Sequence, residues 1–199
     1  MSDAASQLPI FPLQAVLFPG GVLPLRVFEA RYIDMLTQCY RNDAEFGVNL
    51  VVEGAEVSNL AVPHAVGVSA RIRAWDDHEP GVLQIVVQGE QRFLIKDVEL
   101  DAQRRLLAHV KWMDEPPAQA VPDGFAKLVE LLAAIIADAG DKHFPLPHQM
   151  DDAGWVGMRL AAVLPVPMLA RQRLLELDDP VSRLEIIRTY LDQHGLIKA

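Results

Sequence analysis

The chain has a single cysteine among its 199 residues, Cys39. It can form no internal disulfide, and a reducing, cytoplasmic setting is expected. No apolar run reaches the ~18 residues of a membrane span. LVELLAAIIADAG comes nearest and is cut short by Asp138 and Gly140. The start, MSDAASQLPIF, lacks the basic-then-apolar order of a secretory signal. Positive charge is also scarce, with 18 Lys and Arg against 27 Asp and Glu and a net charge of −9. The deficit is spread along the chain: residues 1–115 hold 10 basic and 16 acidic side chains, and the remainder 8 and 11. No basic tract is available to follow a phosphate backbone, so neither nucleic acid nor membrane is expected as a partner.

The motifs of common chemistries are missing as well. No serine lies in a GxSxG context, no lysine follows a GxxxxG loop, and no GxGxxG fingerprint occurs. His143 and His148 bracket FPLP, whose two prolines rule out a helical HExxH face. Cys39 falls on the apolar stripe of an amphipathic segment, the setting of a buried thiol rather than a nucleophile. The pairs Asp76/Asp77, Asp151/Asp152 and Asp178/Asp179 sit in turns or helix starts, where local hydrogen bonds and the helix dipole account for them. No catalytic, metal or cofactor site is expected.

What is there is strand-like up to about residue 115. LPIFPL and VLPLRVF are short extended runs fixed by prolines. ARYIDMLTQCYRN carries Tyr32, Ile33, Leu36, Cys39 and Tyr40 on one helical stripe. FGVNLVVEG reads as a strand closed by Gly54. In AVGVSARIRAW, Val66, Val68, Ala70, Ile72 and Ala74 alternate with Gly67, Ser69, Arg71 and Arg73. VLQIVVQGEQRFLIKDVEL reads as two strands around Gly89, and RLLAHVKWM as the last strand of the set. Six or seven short strands with one early helix point to a strongly bent or barrel-like sheet.

EPPAQAVPDG then reads as a linker. Helices follow in FAKLVELLAAIIADAG, with Asp123 as N-cap and Gly140 as C-cap, in DDAGWVGMRLAAVL, in PMLARQRLLEL and in DDPVSRLEIIRTYLDQHG. The last is the best marked, with Asp179 at the cap, Pro180 at the first position, a Val181, Leu184, Ile187, Leu191 stripe and Gly195 as the stop. The expected class is α+β, with a β-rich domain over 1–115 and a helical domain over 116–199.

The stretch LFPGGVLPLRVFEARY is too apolar for a loop and too often broken for a helix. FPL (11–13), LFPG (17–20) and LPLRVFEARY (23–32), in that order and spacing, resemble the N-terminal substrate-binding domain of Lon proteases. FGV (46–48), GVSARI (67–72), LQIVVQGEQRFLI (83–95) and LAAVLPVPMLARQRLLELDDPVSRLEII (160–187) agree with it. The family's Walker motif and Ser-Lys pair have no counterpart here, so the chain looks like a stand-alone domain of that kind. The resemblance implies a PUA-like pseudo-barrel followed by a helical bundle. The β-unit is also similar to the N-terminal part of cereblon, a substrate receptor, which implies recognition of polypeptides.

Within this reading Phe11, Leu13, Leu17, Phe18, Leu23, Leu25 and Phe28 are core residues, and the Pro-Gly-Gly corner reverses the chain. Arg31 opens the helix, where it pairs with a carboxylate or caps a carbonyl. Exposed or unfolded polypeptide segments are the expected partners, with docking on a protease or ATPase, or small-ligand binding on the PUA-like surface, as the alternatives. An edge strand of the bent sheet and a groove between the β-unit and the helices are the places expected to receive them. Val22, Arg31, Trp75, Trp112 and Trp155 are the candidate contacts, although each tryptophan is better suited to a core or inter-domain contact.

Overall fold

Prolines and alternating apolar residues draw the first half of the chain into strands, and the prolines also set where those strands turn. The computed structural model describes residues 6–57, 60–140 and 143–196. Seven strands and one helix occupy the first unit: β1 (Ser6–Leu13), β2 (Val22–Val27), α1 (Ala30–Arg41), β3 (Phe46–Val57), β4 (Leu60–Pro63), β5 (Val66–Asp76), β6 (Leu83–Leu100) and β7 (Leu106–Trp112). A 3-10 turn (Asp123–Phe125) and α2 (Ala126–Ala139), α3 (Ala153–Val163), α4 (Met168–Glu176) and α5 (Pro180–Gln193) make the second. The two units meet in sequence between Asp114 and Glu115.

The sheet order β1-β7-β6-β5-β3 closes on itself, because β1 pairs antiparallel with β7 and parallel with β3. Leu8, Ile10, Phe93, Leu106, Ala108 and Val110 fill the β1/β6/β7 part of the ring. Strand β2 lies off this ring and pairs antiparallel with the first half of β6, Val22 opposite Gln88 and Val27 opposite Leu83.

The Pro-Gly-Gly corner fastens β2 to that ring. Gly21 N–H donates to the Phe18 carbonyl (2.8 Å) across Pro19 and Gly20, whose φ is +68°. Proline at the second turn position and a left-handed glycine at the third is the pattern of a type II turn. Gly20 N–H then donates to the Gly89 carbonyl (2.7 Å), and Gly89 N–H donates to the Gly21 carbonyl (2.8 Å). A Cβ at Gly89 would lie 2.4 Å from the Phe18 carbonyl oxygen. Gly89 therefore does not divide β6. The strand runs unbroken over 18 residues and bulges between Gly89 and Arg92. Gly54 likewise does not end β3 but falls where the β3–β4 register slips between Val51 and Glu56, a use of glycine inside a strand that is common at bulges. Phe28, expected in the core, is 74% exposed. The β2 alternation places Val27 inward, at 3% exposure, and Phe28 follows the strand's last residue.

Helix α1 buries Tyr32, Met35, Leu36 and Cys39, a stripe at the 3-4 spacing of one face. Ile33 and Tyr40 stand on its flank. In the second unit α3 contacts α2, α4 and α5. Helix α3 is capped by Asp152, which accepts from Trp155 N–H, and α5 by Asp179, which accepts from Ser182 N–H. That hydrogen bond holds the Asp179 carboxyl below the usual aspartate range. Asp123 does not cap α2. It begins the 3-10 turn that leads into the helix, and Phe125 takes the cap position.

Part of the EPPAQAVPDG segment is tied down: Gln119 N–H donates to Asp152 Oδ1 (2.8 Å), Ala153 N–H to the Gln119 carbonyl (2.7 Å) and Val121 N–H to the Asp151 carbonyl (3.0 Å). Limited proteolysis is therefore expected to cut first between Asp114 and Ala118, where prolines replace backbone donors, and not within 119–121. Mass mapping of the earliest fragments checks this, and a first cut inside β6 would contradict it.

Candidate functional site

Strand β2 is short, carries Pro24 at an exposed position, and among the described residues pairs with β6 alone. One cleft lies between the end of β2 and β1, and a second lies beside it over β6 and β5.

The first cleft, about 240 Å³, takes Phe11, Pro12 and Leu13 from β1, Arg26 and Val27 from β2, and Phe28, Arg31 and Tyr32 beyond. Arg31 is oriented by two contacts, an ion pair to Glu29 (2.9 Å) and a hydrogen bond to the Arg104 carbonyl (3.1 Å). Its guanidinium also lies 4.7 Å from the centre of the Tyr32 ring. Burial pushes the Tyr32 hydroxyl above its ordinary pKa, against the pull of Arg31, so it is a neutral donor at physiological pH.

The second cleft, about 380 Å³, is floored by the β2, β5 and β6 strands and lined by Pro24, Leu25, Trp75, Ile85 and Val86. A third, about 500 Å³, lies on the other side of Trp75, between α1 and the loop that joins β5 to β6. Trp75 stacks on Tyr40 with ring centroids 4.9 Å apart and planes at 13°. Arg26 reaches from β2 to Glu79 of that loop (2.7 Å), an exposed pair that fixes geometry more than it adds stability.

Trp75 reaches this position through a β-bulge. Ile72 pairs with Val87 and Ala74 with Val86, so Arg73 is an extra residue on β5. One added residue reverses which face every later side chain occupies. Ala74, expected to share the inward face with Ile72, is exposed, and Trp75 takes that face opposite the buried Ile85. Strict alternation in the sequence hides this. The flank of α1 was equally hidden. Ile33, Thr37, Tyr40 and Arg41 share a second face that walls the third cleft, and the sequence merges two of them with the core stripe.

Of the five candidate contacts, three gather around β2. Val22 begins the strand, Arg31 lines the cleft at its end, and Trp75 stands between the second and third clefts. Trp112 closes β7, donates its indole N–H to Ser6 Oγ (3.2 Å) and meets the edge of Phe93 at 6.2 Å. Trp155 belongs to the second unit, on α3, with His148 at 5.7 Å between ring centroids. Among the described residues no three His, Cys, Asp or Glu side chains gather as metal ligands. Burial pushes the Cys39 thiol up, so it is held protonated.

This arrangement of a closed ring, an added β2 and a helical second unit has counterparts. The sequence profile for the ATP-dependent protease La (LON) substrate-binding domain matches residues 7–193. The chain belongs to that family. A Lon N-terminal domain protein from Xanthomonas campestris superposes with a TM-score of 0.77 at 32% identity, over 93% of this chain and 98% of that one. The N-terminal domain of Mycobacterium avium complex Lon protease gives 0.68 at 19% identity, over 95% of this chain and 100% of that one, which speaks to the fold alone. Among full-length relatives, the Lon protease of Anaeromyxobacter dehalogenans is 25% identical over 96% of this chain and 24% of its own length. Zebrafish (Danio rerio) cereblon is 28% identical over 63% of this chain and 29% of its own. The chain thus spans about a quarter of the curated Lon relatives it matches, and no ATPase or peptidase domain is evident in it. Among the described residues no helix is long and apolar enough to cross a membrane.

Proposed function

We propose that this Lon substrate-binding-domain protein binds exposed, extended polypeptide segments through the β2 edge and the clefts beside it, as a non-enzymatic, PUA-like module of the cytoplasm. The observation that carries this reading is that, among the described residues, β2 pairs with β6 alone and is flanked by apolar clefts. An incoming strand would add backbone hydrogen bonds along that edge, and alternate side chains would drop into the clefts. Phe28, at 74% exposure, offers a large apolar contact at one end. The family's description as a substrate-binding domain supports the class of partner.

Ordering a flexible segment opposes binding and a single module adds no avidity, so affinity in the micromolar range or weaker is expected. The test is titration of a labelled, permanently unfolded protein and a folded control against the whole chain. The unfolded client should bind and the folded one should not. Phe28→Ser, at a position too exposed to matter for folding, should weaken client binding by roughly fivefold. Absence of binding to any unfolded client well above micromolar protein would overturn the proposal, as would equal binding of the folded control.

A further inference from the structure

We infer that the cleft walled by Tyr40 and Trp75 receives a basic side chain, arginine or lysine, from the bound segment. This rests on the proposal above and names the chemistry selected by the third cleft, which adjoins the second across Trp75. The third cleft has one flat aromatic wall, since the two rings stack nearly parallel, and Tyr40 remains 50% exposed. Its opposite wall is the β5–β6 loop, which places Asp77 and Glu79 at the rim. Asp76 stands beside them in the neighbouring cleft. A π-face next to carboxylates attracts a cation twice over, through the ring quadrupole and through charge.

The competing charges are few. Glu79 is already engaged by Arg26 at 2.7 Å. Asp76 accepts from His78 N–H at 3.0 Å. Asp77 meets the ring of His78 at 3.9 Å, and its side chain is 69% exposed. Arg41 is the one cation in the lining, and it sits in the last turn of α1, whose carbonyl end points negative potential the same way as the loop carboxylates. The aliphatic stem of a lysine or arginine would lie along the half-buried Ile33 and Val82, leaving its charged head at Asp77. An anionic ligand would meet the π-face and the acidic rim together, so a carboxylate-rich segment is disfavoured here. Neutral aromatic side chains gain the stacking without the charge.

The experiment uses the full chain and three fluorescein-labelled extended peptides of identical apolar sequence, with Arg, Gln or Glu at the centre, compared by anisotropy at low salt. The Arg peptide should bind about tenfold more tightly than the Gln peptide, with Glu weakest. Asp77→Asn should cut the Arg-to-Gln ratio to about twofold and leave the Gln peptide's affinity unchanged. Trp75→Leu should lower the ratio similarly. Glu185→Gln, which removes one exposed charge from α5, should leave it intact. Equal binding of Arg and Gln peptides, or a preference that Asp77→Asn does not touch, overturns the inference while the peptide-binding function stands. A ratio that falls as far with Glu185→Gln also overturns it, assigning the preference to net charge. Failure of all three peptides to bind overturns both.

Discussion

Gly89→Ala is expected to destabilise the chain by about 3 kcal/mol, read as a lower midpoint in urea unfolding followed by far-UV circular dichroism. The added methyl would stand 2.4 Å from a backbone oxygen, that of Phe18, which cannot swing aside as a side-chain end can. Relief requires the Phe18–Gly21 turn to move off β6, and that breaks the reciprocal bonds of Gly20 and Gly21 with Gly89. Gly124→Ala is the matching control. Its methyl would meet nothing closer than Arg188 Nη1 at 3.7 Å, and its effect should stay within about 0.5 kcal/mol. Unchanged stability in Gly89→Ala would mean that the corner is not fastened where it is described. Because the same turn anchors β2, the variant should also lose client affinity before it unfolds.

Arg183→Met should cost a similar amount, about 3 kcal/mol, for a different reason. Arg183 is 1% exposed on α5, and its Nε donates to the Leu174 carbonyl at 2.9 Å while Nη2 donates to the Leu177 carbonyl. These are carbonyls at the end of α4, where no following turn can satisfy them. Methionine relieves the desolvated cation but withdraws both of these hydrogen bonds, and the stem contact with Gly157 of α3 is altered too. The two lost hydrogen bonds are expected to dominate, and Arg183→Lys should recover only part of the loss, since an ammonium lacks the planar fork that reaches two carbonyls. Thermal melting of the three proteins checks the order Arg, Lys, Met. A methionine variant as stable as the parent would show that the carbonyls find other partners.

Where one periodicity ruled a segment, the sequence was enough. Asp179, Pro180 and Gly195 bound α5, and Leu184, Ile187 and Leu191 form its buried stripe. The succession of strands followed by helices was equally readable, as was the bent sheet, because prolines and alternation leave few other choices. The failures share one cause: a local signal was overruled by a partner distant in sequence. Gly89 looks like a strand break until Phe18 is placed beside it. Ala74 looks inward-facing because the extra Arg73 can be counted only against β6. Tyr40 looks like core because its ring is one position from a true stripe residue, Cys39, and nothing nearby announces Trp75. Phe28 is apolar enough for any core, and only the end of β2 turns it outward. The candidate site was thus legible in its residue types and not in its grouping.

The ring also has a history. Ser6 of β1 lies opposite Val110 of β7, and Ile10 lies beside Gly47 of β3. A nascent chain emerging from a ribosome at about 5–20 residues per second would expose β1 for roughly 5–20 s before its antiparallel partner exists. The parallel pairing with β3 comes sooner but demands a long loop closure, which is slow to reward. An apolar strand waiting that long is open to mispairing with its neighbours on the polysome. Pro9 and Pro12 sit within it, opposite Leu107 and Asn49 in the finished ring. Each removes a donor from the waiting edge, so the residues that give β1 its extended form also shield it from the wrong strand while the right one is still being made.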